Sequence, residues 1–100
     1  INQAANDGAT PLYIACQEDH VKVVNLFLAR KEIQINLAMN DGCTPLYIAC
    51  CNGHVKVVKA LLKKKEIDIN KEFEGWTPLK KAIEEGHTEI AALLQQHGTK

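Results

Sequence analysis

The sequence TPLYIAC fills residues 10–16 and occurs again, letter for letter, at residues 44–50. A related stretch, TPLKKAI, fills residues 77–83. Spacings of 34 and then 33 residues are typical of a solenoid, in which copies of one small unit stack on each other. Each copy opens with a Thr–Pro pair, which favours a helix start because threonine caps a helix and proline fits its first position.

A second repeated stretch follows each copy in the same phase. It reads HVKVVNLFL at residues 20–28, HVKVVKALL at 54–62 and HTEIAALLQ at 87–95. A turn signal, Asp-Gly or Glu-Gly, precedes each Thr–Pro pair. Each unit is therefore predicted as a turn, a short helix from the proline (about residues 11–18 in the first unit) and a second helix. The second helices are predicted over residues 21–30, 55–64 and 88–97. The predicted core faces of the helices contain Leu12, Ala15, Cys16, Val23, Val24, Phe27, Leu28, Val57, Val58, Leu61 and Leu62.

The bulk composition excludes several classes of function. One hundred residues make one domain at most, and 12 basic residues balance 12 acidic ones. A net charge of zero gives no electrostatic reason to expect nucleic acid or an anionic membrane as a partner. No apolar run has the length of a membrane span, and the first residues lack signal-peptide character.

The four cysteines are expected to be reduced. Cys16 and Cys50 hold the same phase of successive units, and stacked helices about 8–10 Å apart place such residues too far apart for a disulfide. Cys50 and Cys51 are neighbours that point in different directions from one helix. Reduced structural cysteines favour an intracellular, cytoplasmic location. A secreted disulfide framework is the alternative.

Three histidines, His20, His54 and His87, are the first candidates for chemistry. Cys16 and Cys50 each lie four positions before one of them, a spacing that could bring two metal ligands together on a helix. Because each histidine recurs between the two helices of its unit, a structural hydrogen bond to the backbone explains all three. We predict no metal site.

Cys51 and the pair Glu84–Glu85 are the remaining candidates for catalysis. Cys51 is the one cysteine outside the repeated core phase, and a reactive thiol needs a base and a lowered pKa. His54 is three residues further on, but the turn is expected to rotate it inward, and the alternative for Cys51 is an incidental surface thiol. The two glutamates form a like-charged surface pair, and every glycine belongs to a turn or a helix end. We therefore predict no enzyme, no catalytic residue and no cofactor.

The repeated pattern resembles the ankyrin repeat, whose period is 33 residues with a Thr-Pro-Leu signature, over residues 1–98. The resemblance implies an all-α solenoid of stacked helix-turn-helix units with short β-hairpin turns. It also implies a non-catalytic scaffold that binds another protein through a concave face, formed by the hairpin tips and the first helices. The chain is expected to be a monomer.

The unit boundaries divide the chain unevenly. Residues 1–6 match the end of a unit, so they are interpreted as the tail of a missing one, followed by units at 7–40 and 41–73 and a polar capping unit at 74–100. The chain is therefore expected to be a segment of a longer array. The alternatives are a tolerated open end, and an accessory segment of a larger enzyme, channel or bacterial effector whose activity lies elsewhere.

The resemblance also implies which residues contact the partner. The family's variable contact positions correspond to Asn6, Asp7, Ala9, Gln17, Glu18, Asn40, Asp41, Cys43, Cys51, Asn52, Phe73, Glu74, Trp76, Glu84 and Glu85. Six of these are acidic and none is basic, so an acidic ridge is expected, while most lysines fall on the second helices. A basic partner surface is the corresponding expectation, with Phe73 and Trp76 as aromatic anchors. The alternative for Trp76 is packing across the base of its hairpin.

Overall fold

The first helix of every unit begins at the proline, as predicted, because the preceding threonine caps it. The Oγ1 atoms of Thr10, Thr44 and Thr77 accept hydrogen bonds from the backbone N–H three residues on, at 3.1, 3.0 and 3.2 Å. A computed structural model describes residues 2–98. Within that range the chain forms six helices: α1 (Pro11–Gln17), α2 (Val21–Leu28), α3 (Pro45–Asn52), α4 (Val55–Leu62), α5 (Pro78–Glu84) and α6 (Thr88–His97).

Two of the second helices end earlier than predicted. The expected ends at residues 30 and 64 are wrong by two residues each, since α2 ends at Leu28 and α4 at Leu62. Neither is followed by a glycine in the left-handed conformation. The third, α6, ends at His97 as predicted, and Gly98 follows it with a φ of 110°.

The six helices form two layers. Helices α1, α3 and α5 contact one another in sequence along one layer, and α2, α4 and α6 do the same along the other. No β-strand forms within residues 2–98, and the hairpin turn of the third unit contains a single β-bridge between Phe73 and Trp76. The all-α solenoid predicted from the repeat is confirmed.

The main core lies between the two layers and runs through all three units. It contains Leu12, Ala15 and Cys16, as predicted, together with their counterparts one period later. Val23 contradicts the prediction, since 40% of it is exposed, whereas its counterpart Val57 is fully buried. The difference arises because α4 packs against α2, while α2 has no helix on its other side within the described part of the chain.

Side-chain hydrogen bonds to the backbone join successive units. His54 Nε2 lies 2.9 Å from the carbonyl oxygen of Gln17, and His87 Nε2 lies 3.0 Å from that of Cys51. A carbonyl oxygen only accepts, so Nε2 carries the proton in both rings. The structural role predicted for these two histidines is confirmed. His20 differs, because its side chain makes no hydrogen bond within residues 2–98.

None of the helices within residues 2–98 is long and apolar enough to cross a membrane.

Candidate functional site

The tips of the first two hairpin turns are hydrogen-bonded to each other. Asn40 donates from its backbone N–H to the carbonyl oxygen of Asp7, at 3.0 Å, and from its amide group to that of Asn6, at 2.9 Å. Within each turn, the aspartate accepts from the N–H two residues on: Ala9 for Asp7 and Cys43 for Asp41, both at 3.0 Å. The two aspartates therefore stabilise their own turns. Both residues are exposed, so their carboxylates also contribute negative charge to the surface.

A small apolar cluster lies beneath the hairpin tips. Its buried members are Ala9, Tyr13, Cys43 and Tyr47, and the Tyr13 hydroxyl donates to the Cys43 sulfur at 3.4 Å. Burial, and secondly this hydrogen bond, raise the pKa of the Tyr13 hydroxyl far above its usual value. The pair therefore stays neutral and structural.

The buried cluster corrects two of the predicted contact positions. Cys43 is 4% exposed and Ala9 is buried as well, so neither is available to a partner in this structure. The prediction was wrong because the side chains of Ala9 and Cys43, which follow the first two turns, lie under the hairpins in one cluster with Tyr13 and Tyr47. The recurrence of tyrosine at positions 13 and 47 was the available signal, since a ring at the helix start needs an apolar neighbour.

The third hairpin turn presents two half-buried aromatic residues. Phe73 and Trp76 exchange backbone hydrogen bonds of 2.9 and 3.0 Å across the β-bridge. The Phe73 ring meets that of Tyr47 edge to face, with centroids 5.1 Å apart, and both Phe73 and Trp76 pack against the small cluster. Packing therefore uses part of each ring and leaves the remainder accessible.

Lys81 lies among the acidic residues, which the sequence analysis did not anticipate. Its Nζ is 2.9 Å from Glu84 Oε1, 3.3 Å from Glu85 Oε2 and 5.3 Å from the centre of the Trp76 ring. Hydrogen bonds to the two glutamates raise the pKa of Lys81 above its usual value. Lys81 is not one of the predicted contact residues, but it partly neutralises the expected acidic ridge at Glu84 and Glu85.

The signal for this contact was present in the sequence. Lys81 replaces Ile14 and Ile48 at the same phase of the earlier units, and the two glutamates follow it at i+3 and i+4. Side chains three and four residues apart meet on a helix surface, so Lys81 reaches both glutamates. Glu85 is the residue at the C-terminal cap of α5.

The other predicted contact residues remain accessible. Glu18 and Glu74 are exposed, and neither has a cationic partner within residues 2–98. Cys51 is half-buried. The remaining exposed members of the set are Asn6, Asp7, Gln17, Asn40, Asp41, Asn52, Glu84 and Glu85. The predicted contact set thus carries six carboxylates, and within the described part of the chain only Glu84 and Glu85 of these form ion pairs, both with Lys81.

Cys51 lacks the surroundings of a reactive thiol. Burial raises the pKa of Cys51, and nearby Lys81 offsets only part of that shift. The neighbouring His54 points to the Gln17 carbonyl instead. Within the described residues, no group of three or more histidine, cysteine, aspartate or glutamate side chains is arranged to hold a metal ion.

Comparison with known families agrees with this architecture. A family model described as ankyrin repeats (3 copies) matches residues 1–73 and again residues 38–100. The chain belongs to the ankyrin-repeat family. Ankyrin repeats are generally protein–protein interaction modules and are typically non-catalytic. No curated protein matches the sequence.

Proposed function

We propose that this ankyrin-repeat chain binds a protein partner, without catalysis, through the concave face formed by its hairpin tips and first helices. We further propose that the partner presents a basic surface. The observation that carries both proposals is the excess of exposed carboxylates on the hairpin tips and first helices. These are Asp7, Glu18, Asp41, Glu74, Glu84 and Glu85, of which only Glu84 and Glu85 form an ion pair, both with Lys81, within residues 2–98.

The charge excess supports a basic partner for an energetic reason. Exposed like charges on one surface repel each other, and a partner that supplies lysine or arginine relieves this repulsion and approaches faster. Glu18 and Glu74 are the freest of the six, because Asp7 and Asp41 also close their turns and Glu84 and Glu85 contact Lys81.

The third hairpin supports the proposal with a second kind of contact. Lys81 lies over the Trp76 ring, so this ring already has a cation against its face. Aromatic side chains that are half-buried in the scaffold lose little conformational freedom on binding, which makes them effective anchors. A partner's apolar or aromatic side chain next to Phe73 and Trp76 would add ring contact to the charge contacts.

The test neutralises only the two freest carboxylates. The chain is immobilised and the proteins that it retains from cells of its source are compared by mass spectrometry with those retained by Glu18→Gln/Glu74→Gln. We expect the variant to lose about tenfold or more in affinity for the partner, mostly through slower association, and the loss to shrink at high salt. Both side chains are exposed and form no ion pair within residues 2–98, so the thermal midpoint should change by less than about 4 °C.

A matched control removes two carboxylates from elsewhere. Glu66 lies in the loop after α4, and Glu89 lies on α6, where it makes only an exposed ion pair of 3.6 Å with Lys59. Glu66→Gln/Glu89→Gln is expected to keep full affinity. Equal losses in both double variants, or no loss in either, would contradict binding through the proposed face.

A further inference from the structure

A cavity of about 360 Å³ opens to solvent between the second helices of the last two units. Each helix contributes three lining residues, spaced i, i+3 and i+4, so the cavity lies between two neighbouring helix faces. The lining residues are Lys59, Leu62 and Lys63 from α4 and its C-terminal cap, and Leu93, Gln96 and His97 from α6. We call these six residues the α4–α6 groove. The groove belongs to the layer of second helices and is separate from the hairpin tips and first helices.

The apolar part of the groove is held in place by the fold. Leu62 and Leu93 are partly buried, and both pack against the main core. His97 Nε2 lies 3.0 Å from the carbonyl oxygen of Leu62, so this nitrogen donates and ties the end of α6 to the end of α4. Because core packing and this hydrogen bond fix both walls, the groove is formed before a ligand arrives, which lowers the entropic cost of binding.

The α4 side of the groove is basic. Lys59 and Lys63 are exposed and lie one helical turn apart, a spacing at which like charges destabilise a helix. Glu89 offsets part of this repulsion, with its Oε2 3.6 Å from Lys59 Nζ. Lys63 forms no ion pair within residues 2–98, and neither does exposed Lys56, which continues the row of lysines along the same face of α4. The groove therefore combines apolar surface with positive charge that the chain only partly neutralises.

The stacking of units does not require this combination. The corresponding positions at the first junction are Asn25, Leu28, Ala29, Ala60, Lys63 and Lys64. The leucine recurs there, and Lys64 Nζ donates to the carbonyl oxygen of Leu28 at 3.1 Å, as His97 does to that of Leu62. Helices α2 and α4 thus pack against each other with asparagine and alanine in place of the two lysines, and with alanine in place of Leu93. Both lysines and Leu93 are additions to what packing needs.

We propose that the α4–α6 groove binds an acidic segment of a partner protein. One leucine-sized side chain of that segment would contact Leu62 and Leu93, and carboxylates on either side of it would pair with Lys59 and Lys63. Charge complementarity favours an acidic ligand. The apolar part favours a peptide over a phosphodiester or a lipid headgroup, because neither of these would cover the two leucines.

This site is independent of the proposed concave face. The concave face is acidic and belongs to the layer of first helices, whereas the groove is basic and belongs to the other layer. The chain would therefore hold two partner surfaces of opposite charge, one on each layer.

The test compares two end-blocked synthetic peptides of equal charge, Asp-Glu-Glu-Leu-Glu-Glu-Asp and the same peptide with alanine for leucine. Each is titrated at low salt into the isotopically labelled 100-residue chain and followed by NMR. We expect the leucine peptide to shift the backbone amide signals of residues 59–63 and 93–97. It should bind at least about threefold more tightly than the alanine peptide, because it buries more apolar surface. High salt should weaken both peptides.

A double variant that copies the first junction tests the cations. Lys59→Asn/Lys63→Ala introduces the residues found at positions 25 and 29 and should weaken the leucine peptide by at least about fivefold. The matched control, Lys22→Asn/Lys31→Ala, removes the same charge from exposed positions of the first unit. The control should keep the affinity within about twofold, because these charges are remote from the groove and screened.

A third variant tests the apolar part. Leu93→Ala copies Ala60, the corresponding residue at the first junction. We expect it to remove the advantage of the leucine peptide over the alanine peptide and to leave the affinity for the alanine peptide unchanged. This ratio is measured on the folded chain, so a loss of stability in the variant does not alter its meaning.

Several results would overturn the proposal. Equal affinities of the two peptides would remove the apolar contact, and equal losses in both double variants would reduce the binding to general charge. Tighter binding of inorganic phosphate or of phosphatidylserine vesicles, with the same dependence on Lys59 and Lys63, would assign the groove to another class of anion. Shifts of the same amide signals with the concentration of the chain alone would assign it to a second copy.

Discussion

At the scale of single residues, the units repeat in sequence but not in surroundings. Gly8 and Gly42 hold the same position in consecutive hairpin turns, with φ values of +89° and +97°. A Cβ at Gly8 would lie 2.5 Å from the backbone nitrogen of Asn40, whereas a Cβ at Gly42 would meet no atom within 4 Å. Glycine is thus needed at both positions for its positive φ. At Gly8 its missing side chain also leaves space for Asn40 of the neighbouring turn.

Substitutions at Gly8 and Gly42 separate the strain of a positive φ from the loss of space for the neighbouring turn. Gly42→Ala is expected to cost about 1–2 kcal/mol of unfolding free energy, because alanine is strained at positive φ. Gly8→Ala should cost at least about 1 kcal/mol more, because it also displaces Asn40 and its hydrogen bond to Asp7. Urea denaturation of both variants measures the difference. Equal losses would show that the two turns are not in contact through Gly8.

At the scale of elements, helix starts depend on the threonine caps. Thr44 and Thr77 accept the same hydrogen bond at the start of α3 and α5. Thr44 is 3% exposed, whereas Thr77 is only partly buried. Burial matters here because water can replace a lost cap at an accessible helix start and cannot do so at a buried one.

The caps therefore should not be equivalent in energy. Thr44→Val leaves the Tyr47 N–H buried without an acceptor and is expected to cost about 1–2 kcal/mol. Thr77→Val makes the same change at Lys80 and should cost about half as much, since that N–H is near solvent. Chemical denaturation provides the values. A loss at Thr77 as large as that at Thr44 would mean that the cap itself, and not its burial, sets the energy.

At the scale of the whole molecule, the continuous core keeps thiols away from water. Burial raises the pKa of Cys16 to about 12 and also raises that of Cys50. In the unfolded chain a cysteine ionises near its ordinary value, roughly pH 8.5. Above that pH the unfolded state binds fewer protons than the folded state, so the free energy of unfolding falls as the pH rises.

Alkaline pH should therefore destabilise the solenoid through its core. Stability is expected to be flat with respect to thiol ionisation below about pH 8, and each buried thiol should then remove up to about 1.4 kcal/mol per pH unit. Cys16→Ala lowers the stability at pH 7 because it leaves a cavity. Between pH 9 and 10 it should also make the free energy of unfolding fall less steeply with pH, because unfolding then releases about one proton fewer. Urea denaturation under reducing conditions at several pH values gives this slope. An unchanged slope would contradict the assigned shift at Cys16.

Much of the fold was predictable because its determinants are local. The 34-residue period, the threonine caps and the apolar spacing of Leu12, Ala15 and Cys16 depend only on nearby residues, and the structure agrees with each. The ends of α2 at Leu28 and of α4 at Leu62 were predicted two residues too late, because no glycine marks them as Gly98 marks the end of α6. The contact surface was less predictable, since exposure is a property of neighbours.

The sequence by itself therefore determined the family, the stacked units and which face of most helices enters the core. Only the tertiary structure decided that Cys43 lies under the hairpin, that Lys81 stands between Trp76 and the two glutamates, and that Val23 is exposed while Val57 is not. The physical reason is the same in all three cases. Burial and charge pairing depend on what the next turn of helix or the next unit places opposite a side chain, and units of similar sequence need not have the same neighbours.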